Sequence, residues 1–197
     1  MIAYIRGKFT FKSPTEVISE AQGIGYQIHI SLNTFGQIKD KEDGLLYTHL
    51  HIKEDAHTLY GFADRMEKQM FQHLISVSGV GPSTAQVVLS SLTPDQVSMA
   101  ILSEDERTFG RVKGIGPKTA KRIIIDLKDK VGKVEAGRVL TYTGQNNTNV
   151  DEALSALVAL GFNRSQAQKA LNELLNTEQK DWSVEALVKE GLRKLAQ

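Results

Sequence analysis

Two short segments place glycine, an apolar residue, glycine, proline and threonine in an order suited to gripping a phosphate. The first is Gly79-Val80-Gly81-Pro82-Ser83-Thr84-Ala85; the second, 35 residues later, is Gly114-Ile115-Gly116-Pro117-Lys118-Thr119-Ala120. Paired glycines permit positive φ and a close backbone approach on both sides of an apolar anchor, Val80 or Ile115. Proline after the second glycine suits the first turn of a helix, where its missing N–H costs nothing. Each turn therefore ends in free amides at a helix N-terminus, a ready anion site. Lys118 adds a cation beside the second turn, and Lys121 and Arg122 follow it. Repetition at a fixed offset means that a whole supersecondary unit is duplicated.

A glycine–apolar–glycine turn between helices resembles the helix-hairpin-helix motif, which holds nucleic-acid backbones without reading bases. Two copies resemble the tandem form, whose hairpins contact both strands across a minor groove. The plain alternative is an αα-hairpin with a glycine turn, which does not explain why proline and threonine recur. Two rival phosphate motifs fail on spacing. A P-loop requires glycine directly before lysine, and Pro117 separates Gly116 from Lys118. A dinucleotide fingerprint requires a third glycine, and Thr84 and Thr119 stand there. No nucleotide site is expected.

Two further groups could do chemistry. Glu54-Asp55 falls between a strand ending near Lys53 and the run Leu59-Tyr60-Gly61-Phe62, at an expected hairpin tip. Alone, such a pair reads as a solvated turn; in a DNA-binding protein it can also repel phosphates and hold strands apart. His49 and His51 share one face of a strand, with His57 beyond the turn. No carboxylate or cysteine spacing supports a metal there, so these read as polar-face histidines, and neither metal nor cofactor is expected.

The elements that must position these residues follow from periodicity. Residues 1–63 read as a small barrel of short strands, OB-like among the small antiparallel barrels and sandwiches that the periodicity allows. Tyr26, Ile28 and Ile30 alternate with polar residues, as do Leu46, Thr48, Leu50 and Ile52; Gly7, Gly23, Gly25 and Gly44 punctuate the strands. Residues 64–140 turn helical. Met66, Met70, Phe71, Leu74 and Ile75 form a stripe leading into the first hairpin. Thr93 and Pro94 mark a helix start, Ser103–Glu106 looks like another, and the last helix carries Lys121, Arg122, Lys128 and Lys130. Residues 141–150 are polar and aperiodic, the mark of a flexible linker. Residues 151–197 give three short amphipathic helices. Ala153, Leu154, Leu157, Val158 and Leu160 lie on the first, Ala167, Ala170, Leu171, Leu174 and Leu175 on the second, and a third is capped by Ser183. This unit resembles the ubiquitin-associated fold, and on a tether it would serve for docking.

Composition bounds the function. No cysteine occurs, which excludes disulfides and thiolate zinc sites and fits a reducing cytoplasm. No apolar run approaches membrane-span length and no signal peptide is evident. The net charge of +1 hides an uneven spread. Residues 65–142 hold twelve Lys and Arg against eight Asp and Glu, whereas the flanking segments are slightly acidic. The positive charge sits with the hairpins, where phosphate binding needs it.

Barrel, tandem hairpins, linker and three-helix tail in this order resemble the RuvA family of bacterial Holliday junction proteins, over essentially the whole chain. The most specific matches are Gly79–Pro82, Gly114–Ala120, Glu54-Asp55-Ala56 before Leu59–Phe62, and Ala156-Leu157-Val158-Ala159-Leu160-Gly161-Phe162. The resemblance implies a homotetramer, one or two per junction, that holds a four-way DNA junction open during recombination and repair. Gly79, Val80, Gly81, Ser83, Thr84, Gly114, Ile115, Gly116, Lys118, Thr119, Lys121 and Arg122 would bind the arms. Glu54 and Asp55 would form a central acidic pin. The tail, through Leu157, Leu160, Phe162 and Leu192, would recruit the RuvB ATPase, and the RuvC resolvase is a further implied partner. Family members often carry lysine where this chain has Ser83, so the first turn must rely on amides and a hydroxyl. The linker is also shorter than in some members. The competing readings are a structure-specific nuclease, for which no compact carboxylate motif lies near either hairpin, and a ubiquitin-type adaptor, which leaves barrel and hairpins unexplained.

Overall fold

The computed structural model describes residues 1–141, 148–177 and 182–195. They fall into two compact units, Met1–Lys133 and Val134–Gln197.

The first unit opens with β1 (Tyr4–Ser13), β2 (Glu16–Ala21), β3 (Ile24–Ile30), α1 (Leu32–Ile38), β4 (Asp43–Ile52) and β5 (His57–Phe62). The strands close into a barrel in the order β1-β2-β3-β5-β4. Closure comes from a parallel pairing of β3 with β5, His29 opposite Tyr60, while every other pairing is antiparallel. This is an OB-like barrel. Ile5, Phe9, Val17, Ile28, Ile30, Leu46 and Leu59 fill it, and Ile38 of α1 joins that core. The strand periodicity holds, but α1 is an addition that the strand reading of residues 1–63 lacks. The glycines also need correction: Gly7, Gly25 and Gly44 lie inside strands. Gln22-Gly23 makes the two-residue β2–β3 turn, with φ of 53° and 79°.

Five helices follow: α2 (Arg65–Ile75), α3 (Pro82–Ser91), α4 (Pro94–Leu102), α5 (Glu106–Gly110) and α6 (Pro117–Thr141). Asp64 caps α2, and Thr93 caps α4 in a reciprocal box with Gln96, Pro94 standing in the first turn. At the next start the cap is Asp105, whose carboxylate accepts from the amides of Arg107 and Thr108, while Ser103 closes α4. Met70, Phe71 and Leu74 are buried as the stripe requires, whereas Met66 lies outside it at 38% exposure.

Barrel and helices share one unit because Tyr60 and Phe62 of β5 pack into the helical core beside Phe71 and because polar side chains join them. Glu67 of α2 is buried, and its carboxylate accepts from the hydroxyls of Ser31 and, at 2.6 Å, Thr34. Those hydroxyls in turn accept from the amides of Thr34 and Ala63, both at 3.0 Å. Gln86 of α3 donates to the Ile30 carbonyl at 2.7 Å, and Asn33 of α1 donates to the carbonyls of Leu89 and Leu92 at the end of α3. The first hairpin is thereby fixed to the barrel.

Burial pushes the Glu67 carboxyl above its ordinary range, partly offset by the two hydroxyl donors, and nearby Asp64 pushes it further up. The folded state therefore holds this proton to higher pH than the unfolded chain. Stability from this group is complete below the ordinary carboxyl value of the unfolded chain and is lost as pH rises from there through the raised folded value. Glu67→Gln, which cannot titrate, is expected to gain stability relative to the parent across that window, as urea denaturation at a series of pH values would record. Glu67→Ala strands two hydroxyls and should cost about 1–3 kcal/mol. A parent-minus-Gln difference that is flat with pH would refute this account.

In the second unit lie α7 (Thr148–Ala159), α8 (Arg164–Thr177) and α9 (Val184–Leu195). Ala153, Leu154, Leu157, Ala167, Leu171 and Leu187 form its core. Gly161 at φ 97° ends α7 in a Schellman turn, with Phe162 N–H on the Leu157 carbonyl at 3.2 Å and Gly161 N–H on that of Val158 at 3.0 Å. Ser183 caps α9, accepting from Ala186 N–H at 3.3 Å. Regular structure takes Thr141 and Thr148–Val150 out of the expected linker, and residues 142–147 lie outside the described residues. No described helix is long and apolar enough to cross a membrane.

Candidate nucleic-acid interface

The duplication seen in the sequence is repeated bond by bond in the backbone. In the first hairpin, Val77 N–H bonds Leu74 O at 3.1 Å, Val80 bonds Val77 at 3.0 Å and Ala85 bonds Gly81 at 2.9 Å. In the second, Val112 bonds Phe109 at 3.0 Å, Ile115 bonds Val112 at 3.1 Å and Ala120 bonds Gly116 at 2.9 Å. Gly79 and Gly114 both take φ 89°, a conformation L side chains rarely adopt. Val80 and Ile115 are buried in one shared core with Val77, Ala85, Val112 and Ala120, so each turn is pinned from below.

The second glycine of each pair has a different reason to be glycine. Gly81 has φ −85°, open to any residue, and Gly116 is not in the positive-φ region. A Cβ added to either would meet nothing within 4 Å. Neither backbone strain nor packing inside the protein demands glycine there. What a Cβ would obstruct is an approach from outside. Gly81 also gives α3 no side-chain cap, so first-turn amides remain for an external acceptor.

The cations gather at the second hairpin. Lys118, Lys121 and Arg122 are exposed, and so are Arg111 and Lys113 in the turn itself, which motif reading passed over. Aligning the copies by their offset would have found both, since they stand where the first copy has Ser76 and Ser78. Arg122 Nη1 donates to the Ser78 carbonyl at 3.3 Å, which brings the second hairpin's exit helix against the first hairpin's turn. Thr84 and Thr119 are half-buried, and Ser83 is exposed. The Ser83 hydroxyl lies near the phenol of buried Tyr60 and offsets part of the rise that burial imposes on that phenol.

Glu54 and Asp55 stand exposed at the β4–β5 tip, closed by Lys53 N–H on the Ala56 carbonyl at 2.8 Å. The histidine reading needs correction. His49 does not lie on a free polar face: α2 covers that side of β4, and its ring sits 5.5 Å from that of Phe71. Burial, with His51 and Lys68 nearby, holds His49 below its ordinary value. Among the described residues, no group of three or more His, Cys, Asp or Glu is placed to hold a metal ion.

In the tail, Leu157 is fully buried and belongs to the core, so it is withdrawn from the contact residues. Leu192 is half-buried against that core and Phe162 is half-buried, whereas Leu160 is 60% exposed. Val158 is exposed as well. The core face of α7 is Ala153, Leu154 and Leu157, as the stripe expected from the sequence has it, whereas Val158 and Leu160 lie off that face.

Family models match the chain in this same order: "RuvA N terminal domain" at residues 1–61, "SAM-like Helix-hairpin-helix tandem" at 71–129 and "RuvA, C-terminal domain" at 148–196. A relative from Christiangramia forsetii, named Holliday junction branch migration complex subunit RuvA, is 53% identical over 99% of this chain and 100% of its own length. The chain belongs to the RuvA family. Relatives of the same name from Cytophaga hutchinsonii and Flavobacterium psychrophilum are each 49% identical, over 98% and 99% of this chain and 99% and 100% of their own. The three matches leave residues 62–70, 130–147 and 197 uncovered, so Glu67 and the outer part of α6 lie outside them.

Proposed function

We propose that this chain is a non-catalytic DNA-binding subunit that grips four-way junctions through their backbones, holds them open and recruits the RuvB ATPase for branch migration in recombination and repair. The observation that carries the DNA grip is the pair of glycines, Gly81 and Gly116, with open space in front of them and nothing inside the protein that requires glycine. The name borne by the relatives supports the junction as substrate and a motor complex as the setting. In this reading residues 64–140 bind the arms through turn amides, Lys118, Lys121 and Arg122, and residues 1–63 present Glu54 and Asp55 at the crossover. A homotetramer, one or two per junction, places four acidic hairpins around one axis. Residues 151–197 serve as the dock for RuvB, with Leu160, Phe162 and Leu192 as the contact candidates left once Leu157 is assigned to the core, and residues 141–150 as the tether. RuvC is a further partner, and the setting is the cytoplasm. Pumping belongs to the motor, since the sequence offers this chain no phosphate-binding loop for a nucleotide.

The test is a gel shift of a four-way junction against linear duplex of the same sequence, with and without residues 150–197. Tighter junction binding is expected, unchanged by the deletion, with stimulation of RuvB-driven branch migration lost. Equal affinity for the two DNAs would defeat the junction reading. Full stimulation by the truncated protein would move the dock elsewhere.

A further inference from the structure

The two hairpins share backbone geometry but not charge. At the 35-residue offset, Ser76, Ser78, Ser83, Gln86 and Val87 of the first correspond to Arg111, Lys113, Lys118, Lys121 and Arg122 of the second. All five positions of the second copy carry an exposed cation, and none of the first does. One of the first copy's polar side chains is also engaged elsewhere, Gln86 with the Ile30 carbonyl at 2.7 Å. By its own residues the first hairpin is a neutral turn.

Cations nevertheless reach it from α6. Arg122 lies on the Ser78 carbonyl, and two turns further along the helix Lys130 Nζ lies 3.0 Å from Ser76 Oγ. Ser76 Oγ donates its own proton to the His73 carbonyl at 2.7 Å, so it accepts from the ammonium and leaves two ammonium hydrogens for an outside acceptor. Among the described residues no carboxylate forms an ion pair with Lys130. Burial of His73, with Lys130 beside it, holds that imidazole below its ordinary value, so it is neutral at physiological pH and leaves Lys130 as the cation at this spot. Eight residues of helix separate Arg122 from Lys130, about 12 Å at 1.5 Å per residue. The two cations are therefore far enough apart to meet separate phosphates.

We propose that Lys130 is a DNA-binding residue of the first hairpin, and that with Arg122 it supplies from α6 the positive charge which that hairpin's own sequence lacks. This rests on the junction-binding reading above. The plain alternative is that Lys130 only neutralises the carbonyl end of α2, a stabilising role independent of DNA.

Salt dependence separates the two. Binding of the full chain to a four-way junction is measured over a salt series for the parent, Lys130→Gln and Lys128→Gln. Lys128 is a fair control because it is engaged with Glu104 and no DNA contact is assigned to it. Each phosphate contact contributes about 0.9 to the slope of log affinity against log salt. Lys130→Gln is expected to make the slope shallower by about 0.9, with Lys128→Gln at the parent value. A parent slope in Lys130→Gln overturns the proposal, whether or not its Tm falls. Equal losses in both variants overturn it too, since the effect would then be diffuse charge. If the parent itself shows no junction preference, the underlying reading fails first, and the parent lane alone reveals that.

Discussion

Gly81→Ala and Gly116→Ala are expected to fold as the parent does and to lose most of their affinity for DNA. A methyl group at Gly81 meets no strain, because φ is −85°, and at either position it meets no atom within 4 Å. Alanine also restricts the unfolded chain more than glycine does, which offsets part of the cost of alanine at the N-cap of α3, so Tm should stay near the parent value. A phosphate on the first-turn amides, however, must pass where that methyl stands. A hydrogen bond to a charged partner is worth about 1.5–3 kcal/mol, roughly 10- to 150-fold in affinity for each one lost. Gly79→Val and Gly114→Val also weaken binding, but with a drop in stability, because φ 89° is hostile to a β-branched residue. The alanine pair is the sharper test, since it separates binding from folding. Thermal melts and junction gel shifts on the two variants check it. Alanine proteins that bind normally would leave the hairpins as mere structural turns.

Why these turns were legible in the sequence, and other parts were not, comes down to range. The glycine pairs, the Thr93-Pro94 start and the acidic tip are each encoded within a few residues, and the offset between the hairpins confirms itself. Closure of the barrel depends on β3 lying parallel to β5, a pairing that no local pattern announces. The helix α1 is short, contains Gly36 and is held mainly by contacts to distant residues, so periodicity passes over it. Glu67 looks like a solvated residue in a first helical turn. It is buried because its acceptors find hydroxyls 33 and 36 residues earlier in the chain. Leu160 looks like core on spacing, yet it lies past the end of α7, where Gly161 turns the chain, and it is 60% exposed. The bond from Lys130 to Ser76 spans 54 residues. The unequal charge of the hairpins, by contrast, was readable from the aligned copies alone.

Replacing Glu54 and Asp55 together by Gln and Asn is expected to strengthen binding to linear duplex and to erode preference for the junction. Both side chains are exposed at a closed tip, and neither forms an ion pair among the described residues, so the substitution disturbs no internal contact. Their effect on DNA is then Coulombic. Around a fourfold axis, four tips would bring eight carboxylates to the place where strands part. At physiological salt, charges act over a Debye length of about 8 Å, so phosphates at the crossover feel this cluster while those further along the arms do not. A continuous duplex crossing the centre must bring its phosphates into that field, whereas an open junction can route its strands around it. Removing the charge removes the penalty on duplex, and the gain should be largest at low salt and fade as salt rises. The slope attributable to Lys118, Lys121 and Arg122 should persist, because the proposed function puts those contacts on the arms. Branch migration with RuvB should change as well, since strand separation would lose its electrostatic guide. Competition between junction and duplex at several salt concentrations measures the first effect and a strand-exchange assay the second. Unchanged selectivity and migration in the double variant would make Glu54 and Asp55 no more than a solvated turn.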